Sequence, residues 1–250
     1  MPAHPPSNPQ ATRRHGLARV ISKMGMASRT EAARWIVAGR VAVNGRVQHD
    51  PDYPTVQGSD RIAVDDREIE VGARAYVMLN KPRGLVTTTH DEHGRDTVYR
   101  CLDDAGLPWL MPVGRLDKAS EGLLLFCNDP EWAARIADSA SGQDKTYHVQ
   151  VDCIPDAAMI ARLMQGIDCD GERLSAKSAS LLRHGAKNAW LEIVLEEGRN
   201  RQIRRLLAAQ NIGVLRLLRV AIGALQLGDL AKGKWRMLSD AEAGSLALLE

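Results

Sequence analysis

The sequence has few aromatic residues, no closely spaced cysteines and no long apolar run. Aromatic side chains make up 4% of its 250 residues, with a single Phe, so extensive base stacking on aromatic platforms is not expected. The spacing of the four cysteines excludes a zinc ribbon and a thioredoxin motif. They are Cys101, Cys127, Cys153 and Cys169. No run approaches the roughly 18 to 20 apolar residues of a membrane helix, so we expect a cytoplasmic protein with reduced thiols and no membrane partner.

Acidic residues are nearly missing from one early segment. The whole chain is almost balanced, with 33 basic and 31 acidic residues. Residues 13–46, however, contain eight Lys and Arg side chains against one acid, Glu31. Such a run is usually a solvated surface, but solvated surfaces normally mix both signs of charge. A polyanionic partner is therefore favoured, and the scarcity of aromatics favours phosphate contacts over base stacking.

The same segment predicts two short helices followed by a hairpin. Apolar periodicity predicts a helix over 17–24, and a capping box that begins at Ser28 predicts a second helix. The dipeptide Asn44-Gly45 predicts a tight hairpin turn, because both residue types accept the positive φ angles of a type I′ turn. Residues 1–15 contain four prolines and no apolar period, so we expect a disordered tail before the first helix.

Beyond residue 75, short apolar runs alternate irregularly with helical patterns. Strands are predicted over 76–79, 123–126, 147–151, 191–195, 214–220 and 235–238. Helices are predicted over 130–137, 157–164, 201–209 and after Ser239. This irregular alternation predicts an α+β domain with a mixed, mainly antiparallel sheet and flanking helices.

A polar loop bracketed by Gly114 and Gly122 leads directly into an apolar strand. Reactive groups often lie on a loop that a rigid strand positions, so Asp117 in this loop is a candidate catalytic residue. The residues alone leave alternatives open. Asp117 can cap a turn, and Lys118 with Glu121 can form a surface pair. The spacing of Asp117 and Glu121 is also compatible with the carboxylate pair of a hydrolase.

A second concentration of charge lies later in the chain. Residues 199–219 contain six arginines and no acid. On a helix, Ile203 and Leu206 can face a core while Arg201 and Arg205 point elsewhere. An exposed basic helix is the simple interpretation, and it would still give a second face that attracts phosphate.

Four motifs, in this order along the chain, resemble those of the ribosomal RNA pseudouridine synthases: NKPRG, GRLDKASEGLLLF, KTYHVQV and EGRNRQIRRL. The resemblance spans residues 16–238. Within it, ASRTEAARWIVAGRVAVNGRV resembles the S4-like (alpha-L) RNA-binding module. The resemblance implies a tail over 1–15, an S4-like module over 16–65, a linker over 66–75 and a catalytic domain over 76–250.

The resemblance also implies three catalytic roles. Asp117, the acid of GRLD, would be the ionised carboxylate that either adds to the anomeric carbon of uridine or removes the neighbouring ribose proton; both routes stay open. Arg204 would pair with Asp117 and favour its charged form. Tyr147 would stack on the displaced uracil and serve in the late removal of a proton from carbon 5. No metal and no organic cofactor are implied.

The remaining implied residues contact substrate or RNA. Substrate contacts are expected from Lys81, Arg115, Leu116, Arg199, Arg201 and Ile203. Ile203 would be an apolar wall of the pocket, and Arg115 would fill the space of the flipped base or hold a phosphate. RNA contacts by the S4-like module are expected from Arg19, Lys23, Ser28, Arg29, Arg34, Arg40, Asn44 and Arg46.

The expected function is site-specific isomerisation of uridine to pseudouridine in ribosomal RNA, with the target uridine flipped out of its stack. We favour large-subunit (23S) RNA over small-subunit (16S) RNA as the substrate. The alternative is a non-catalytic RNA-binding factor in ribosome assembly, which explains both basic segments without chemistry. The expected partner is ribosomal RNA or an assembling ribosomal subunit, and a monomer is the default expectation.

Overall fold

The computed structural model describes residues 14–89, 91–103, 106–137 and 143–247. The chain divides into two compact units. The first contains the described residues up to Ala75 with Gly106–Met111 and Cys127–Pro130, and the second contains the rest. The predicted boundaries of the tail, the S4-like module, the linker and the catalytic domain remain predictions.

The first unit packs two helices against a small sheet. The helices are α1 (Leu17–Lys23) and α2 (Arg29–Val37). The strands are β1 (His15–Gly16), β2 (Val41–Val43), β3 (Arg46–Gln48), β4 (Pro54–Thr55), β5 (Ile62–Val64) and β6 (Arg67–Glu68). Strands β3, β2, β5 and β6 form a four-stranded sheet in that order. Its core contains Leu17, Ile21, Ile36, Val41 and Ile62.

The local sequence signals of this unit are confirmed. The Ser28 Oγ accepts a hydrogen bond of 3.0 Å from the Glu31 N–H, which caps α2. Asn44 and Gly45 have φ angles of 51° and 78°, as the tight turn between β2 and β3 requires. The expected tail needs a correction at its end, because His15 pairs with Thr55 and is held by backbone hydrogen bonds. Residues 1–13 of the tail lie outside the described residues.

The later part of the chain contains the large sheet. Its strands are β7 (Tyr76–Lys81), β8 (Met111–Val113), β9 (Glu121–Cys127), β10 (Lys145–Val151), β11 (Ile167–Cys169), β12 (Glu172–Leu174), β13 (Ser178–His184), β14 (Ala189–Leu195), β15 (Val214–Ile222), β16 (Leu225–Gln226) and β17 (Trp235–Met237). Its helices are α3 (Pro130–Ala137), α4 (Ala157–Gln165), α5 (Gln202–Ala208) and α6 (Asp240–Ala247), with a 3-10 turn at Val98–Cys101. Every strand and helix predicted beyond residue 75 is present, with ends that differ by up to two residues.

The large sheet is mixed and mainly antiparallel, as predicted. Its strand order is β13-β14-β10-β15-β9-β7-β17, with β16 beside β15 and β8 beside β9. Strand β10 is antiparallel to both of its neighbours, whereas β15 and β9 run parallel at Leu218–Glu121 and Arg219–Gly122. Three strands next to predicted site residues are therefore neighbours. They are β10, which carries Tyr147, β15, which follows α5, and β9, which follows the Asp117 loop.

Several elements were not predicted, among them the short strands β1, β4, β6, β8 and β16, the hairpin β11–β12 and strand β13. The hairpin β11–β12 turns at Asp170-Gly171, whose φ angles are 52° and 79°, so the sequence carried a hairpin signal that the short flanking runs obscured. Strand β13 is exposed along most of its length and therefore lacks the alternation of a half-buried strand. Within the described residues, no helix is long and apolar enough to cross a bilayer.

Candidate active site

A cavity of about 700 Å³ opens in the second unit. The loop before β9, the start of α5 and the facing ends of β10 and β15 line it. Of the nine residues predicted to be catalytic or substrate-binding, eight line this cavity: Arg115, Leu116, Asp117, Tyr147, Arg199, Arg201, Ile203 and Arg204. The motifs that lie far apart in the sequence therefore meet at one place.

Asp117 lies on the rim of the cavity. The Ser120 N–H donates to the Asp117 carbonyl over 2.9 Å and closes the turn that presents the carboxylate. The side chain of Asp117 is 37% exposed, and its Oδ2 lies 3.6 Å from the Arg201 Nη1. Arg201 has a left-handed backbone (φ 49°) at the residue before α5, which turns its side chain toward the loop. Asp117 is thus a reachable carboxylate beside one guanidinium.

Arg204, predicted to pair with Asp117, has a different contact. Its Nη2 donates to the Ala119 carbonyl over 3.3 Å, and its buried Nε has no hydrogen-bond partner among the described residues. Burial lowers the pKa of Arg204, and the charge of Arg201 acts in the same direction, while Asp117 opposes them. The ion pair to Asp117 comes from Arg201, whereas Arg204 contacts the main chain of the same loop.

The prediction that Lys81 contacts substrate also needs a correction, because Lys81 does not line the cavity. It is fully buried, and its Nζ donates to the main-chain carbonyls of Pro82, Asp117 and Ser120 over 3.2, 3.1 and 2.8 Å. Burial lowers the pKa of Lys81 to about 8, against the opposing charges of Asp117 and Glu121. Lys81 therefore holds the backbone of the Asp117 loop from behind instead of touching a substrate.

The walls of the cavity include apolar groups. Tyr147 is 8% exposed on β10, and Ile203 and Leu116 are also buried. The Thr87 hydroxyl donates to the Leu116 carbonyl over 2.8 Å and fixes the loop at this point. A planar neutral ring fits such walls better than a charged group does.

The two outer arginines differ in their contacts. Arg199 donates from Nη1 to Glu172 over 2.7 Å and from Nε to Glu197 over 2.8 Å, so its charge is already neutralised. Arg115 is exposed and has no hydrogen bond or ion pair within the described residues. Arg115 is therefore the more available of the two for a phosphate.

Two buried cations that line the cavity were not predicted. Arg219 on β15 is 6% exposed, and Lys145 on β10 is 9% exposed. The Lys145 Nζ donates to the Glu196 carbonyl over 3.1 Å. A signal for Arg219 exists in the sequence, since an arginine in the apolar run LLRVAIG is costly to bury without a purpose.

Glu121, the second carboxylate of the hydrolase alternative, is locked in an ion-pair network. It is 2% exposed and accepts hydrogen bonds from Arg216 over 3.1 and 3.2 Å and from Lys232 over 2.5 Å. Burial raises the pKa of Glu121, but these two cations outweigh it, so the pKa lies below its ordinary value. A carboxylate held ionised in this way is a poor general acid, which disfavours the hydrolase.

The basic residues of the first unit fall into two groups. Arg19, Arg29 and Arg46 are exposed, and no ion pair involves them in the part of the chain that the structure describes. By contrast, Arg34 pairs with Glu31 and Arg40 with Asp65.

Two further residues predicted to bind RNA have internal contacts. Ser28 caps α2, and the Asn44 amide donates to Asp60 and accepts from the Arg61 N–H. Their polar atoms serve the turns of the module because side chains at caps and hairpins bond first to nearby backbone. Lys23 is half-buried. Among the residues predicted to bind RNA, the unpaired exposed charges are therefore Arg19, Arg29 and Arg46.

No group of three or more His, Cys, Asp or Glu side chains suited to a metal ion occurs within 14–89, 91–103, 106–137 and 143–247. His90, one of the two histidines in the HDEH segment, lies outside these residues.

Two known protein families match parts of this chain. The RNA pseudouridylate synthase family matches residues 75–209, just over half of the chain. The chain belongs to this family. The S4 domain family matches residues 16–62, in the first unit. The match of 75–209 contains Asp117, Tyr147 and Arg204, whereas Arg219 lies beyond it.

Individual relatives agree with the family. A protein of Aquifex aeolicus (strain VF5) described as an uncharacterized RNA pseudouridine synthase is 35% identical over 91% of this chain and 92% of its own. The ribosomal large subunit pseudouridine synthase B of Bacillus subtilis (strain 168) is 34% identical over 93% and 96%. A crystal structure of a pseudouridylate synthase superposes with a TM-score of 0.64 and 29% identity, covering 94% of this chain and all of the other. This pseudouridine synthase is therefore an enzyme that carries an RNA-binding S4 domain.

Proposed function

We propose that this pseudouridine synthase isomerises a specific uridine in large-subunit ribosomal RNA. The observation that carries the proposal is the meeting of Asp117, Tyr147 and Arg201 in one cavity, from three motifs distant in sequence. The choice of the large subunit is supported by the B. subtilis relative, whose name assigns it to that subunit. The enzyme would act in the cytoplasm, as a monomer and without an organic cofactor or metal.

In the proposed reaction, the Asp117 carboxylate attacks from the exposed side of its loop. It either bonds to C1′ of the ribose or removes the C2′ proton, and in both routes the bond between C1′ and N1 of uracil breaks. The free uracil then turns on Tyr147 and bonds to C1′ through C5, which releases the Asp117 carboxylate in the first route and accompanies return of the proton to C2′ in the second. The C5 proton then leaves and N1 takes up a proton. Arg201 beside Asp117 offsets the charge of the carboxylate in the resting enzyme.

A uridine inside an RNA helix cannot reach Asp117, so the base would be flipped into the cavity. Unstacking and unpairing cost about a few kcal/mol, which phosphate contacts offset. Arg115 at the cavity, and Arg19, Arg29 and Arg46 on the first unit, supply unpaired positive charge for these contacts.

The proposal is tested by mapping pseudouridine at nucleotide resolution. Unmodified 16S and 23S RNA are incubated with the wild type, with Asp117→Ala, and with Asp229→Ala as an exposed-aspartate control. We expect one new site on 23S RNA with the wild type and the control, and none with Asp117→Ala, whose affinity for RNA is retained.

The alternatives predict other results. A site on 16S RNA would overturn the choice of subunit. Normal turnover by Asp117→Ala would remove the role of Asp117. Tight RNA binding without product at stoichiometric wild-type enzyme, on naked RNA and on precursor subunits, would favour the non-catalytic assembly factor.

A further inference from the structure

Arg219 occupies the floor of the cavity next to Tyr147. The two residues are direct cross-strand partners on β15 and β10, and both are buried on the same face of the sheet. The pairing changes register between Thr146 and Tyr147, so a bulge on β15 lies beside Arg219. Bulges of this kind redirect side chains next to active sites. Side chains of direct cross-strand partners start about 5 Å apart, so Arg219 and Tyr147 enter the cavity from neighbouring positions.

The hydrogen bonds of Arg219 are incomplete. Its Nε donates to the Leu123 carbonyl over 2.8 Å, whereas its buried Nη2 has no hydrogen-bond partner within the described residues. A guanidinium stays charged in proteins, so it cannot reduce this cost by losing a proton. Leaving a buried donor unpaired is unfavourable, and such groups are rare in folded proteins. The free enzyme thus holds a buried, unpaired donor on a residue that lines the cavity.

The backbone of Arg219 is also held in place, by its pairing with β9. It lies opposite Gly122 in the only parallel contact between β15 and β9, and a Cβ at Gly122 would overlap the Arg219 carbonyl oxygen. The preceding residue on β9, Glu121, is anchored by Arg216 and Lys232. Because β9 directly follows the Asp117 loop, the same contact sets Arg219 and Asp117 relative to each other.

Resting on the proposed function, we propose that Arg219 donates a hydrogen bond to a carbonyl oxygen of the flipped uracil and stabilises the negative charge that the ring acquires when it leaves the ribose. A ring stacked on Tyr147 carries its carbonyl oxygens in the ring plane, within the cavity that Arg219 also lines. Arginine offers donors only, and uracil offers acceptors at O2 and O4, so the two are complementary.

The charge develops in a defined step. When the bond between C1′ and N1 breaks, its electron pair stays on N1 and spreads to O2 and O4, while C1′ either bonds to Asp117 or gains a double bond as C2′ loses its proton to Asp117. C5 then bonds to C1′, either as the Asp117 carboxylate leaves C1′ or as Asp117 returns its proton to C2′, and this leaves the ring neutral; the C5 proton is then lost while N1 takes up a proton. A preorganised donor aimed at developing charge lowers the barrier to such a step.

A phosphate is a poorer candidate for this donor. Arg219 is 6% exposed at the floor, whereas Arg201 at the rim has a side chain that is 51% exposed. The backbone of an RNA chain stays at the rim, and a flipped base is the part of the substrate that penetrates.

The test compares leaving groups. RNA fragments carry either uridine or 5-fluorouridine at the mapped site, and the single-turnover loss of the starting nucleoside is measured for the wild type, Arg219→Met and Arg219→Lys, with Arg183→Met as an exposed control on β13. Fluorine makes the uracil ring a better leaving group.

We expect Arg219→Met to be slower on uridine by about 10²–10³-fold, with little change in RNA affinity, and its deficit to shrink by about 10-fold on 5-fluorouridine. Fragments with 2-thiouridine or 4-thiouridine then identify the oxygen, because sulfur accepts weakly.

An equal deficit on uridine and 5-fluorouridine would overturn the proposal, since a purely structural arginine affects both rings alike. If Arg219→Met does not fold, the same comparison with Arg219→Lys decides, because its shorter cation should show a smaller deficit with the same dependence on the leaving group. If the wild type forms no pseudouridine on any ribosomal substrate, the proposed function itself fails and this inference falls with it.

Discussion

At the scale of single residues, the active site depends on side chains that a substrate never touches. Lys81 is such a residue, since its buried ammonium group donates to the carbonyls of Asp117 and Ser120. These bonds fix the two ends of the turn that presents the carboxylate. Methionine at this position would keep the length of the side chain and remove all three bonds.

We predict that Lys81→Met lowers the free energy of unfolding by about 1–3 kcal/mol at pH 7, because buried carbonyls lose their donor. The difference between wild type and variant should grow between about pH 8 and 10.5. The folded pKa of Lys81 is lowered to about 8 from 10.5, so in this window the unfolded wild type binds more protons than the folded one, and its stability rises with pH.

Chemical denaturation at several pH values measures both effects. Lys187→Met is the control, because Lys187 is exposed and its removal should leave the pH dependence unchanged. A difference between wild type and Lys81→Met that stays constant from pH 8 to 10.5 would show that burial does not lower the pKa of Lys81.

At the scale of secondary structure, the parallel contact between β9 and β15 organises the site. Gly122 has a φ of 99°, and a side chain there would run into the Arg219 backbone. Gly84 has nearly the same φ, 103°, but open space around its Cα. Substitutions at the two glycines therefore distinguish the cost of backbone strain from the cost of lost close packing.

We predict that Gly84→Ala costs about 1–3 kcal/mol of stability through its positive φ. Gly122→Ala should cost about 1–3 kcal/mol more, because β15 must also move away. Thermal or chemical unfolding of the two variants measures the difference. Equal losses for both variants would mean that the strands have room for a methyl group at Gly122.

At the scale of the whole molecule, the net charge of +2 conceals a basic segment at residues 13–46 and a basic cavity. Within the first unit, Arg34 and Arg40 face acids, so their substitution removes little free charge. Of the arginines predicted to bind RNA, Arg19, Arg29 and Arg46 are exposed and have no ion pair among the described residues. The salt dependence of RNA binding should follow this division.

We predict that changing Arg19, Arg29 and Arg46 together to Gln reduces the slope of log K against log salt concentration by about 2, at roughly 0.7 per single-strand phosphate. The matched control, Arg34→Gln with Arg40→Gln, should change the slope less per residue. Binding titrations with a 23S RNA fragment over a range of salt measure both. An unchanged slope in the triple variant would reject RNA contact by this surface.

The local sequence determined a large part of the fold. The capping box at Ser28, the Asn44-Gly45 turn and the apolar periodicities are short-range signals, because caps, turns and amphipathic faces depend on residues a few positions apart. The four motifs likewise determined the family and eight of the nine residues predicted at the cavity, since a motif records which residue types the chemistry needs.

Only the tertiary structure decided the position and the contacts of each of these residues. Lys81 lies behind the loop, Arg201 instead of Arg204 pairs with Asp117, and Arg219 reaches the cavity, because β15 lies between β10 and β9. These relations join residues 36 to 96 positions apart and depend on strand order, register and a bulge. No periodicity encodes such long-range geometry, since it arises only when the whole sheet packs.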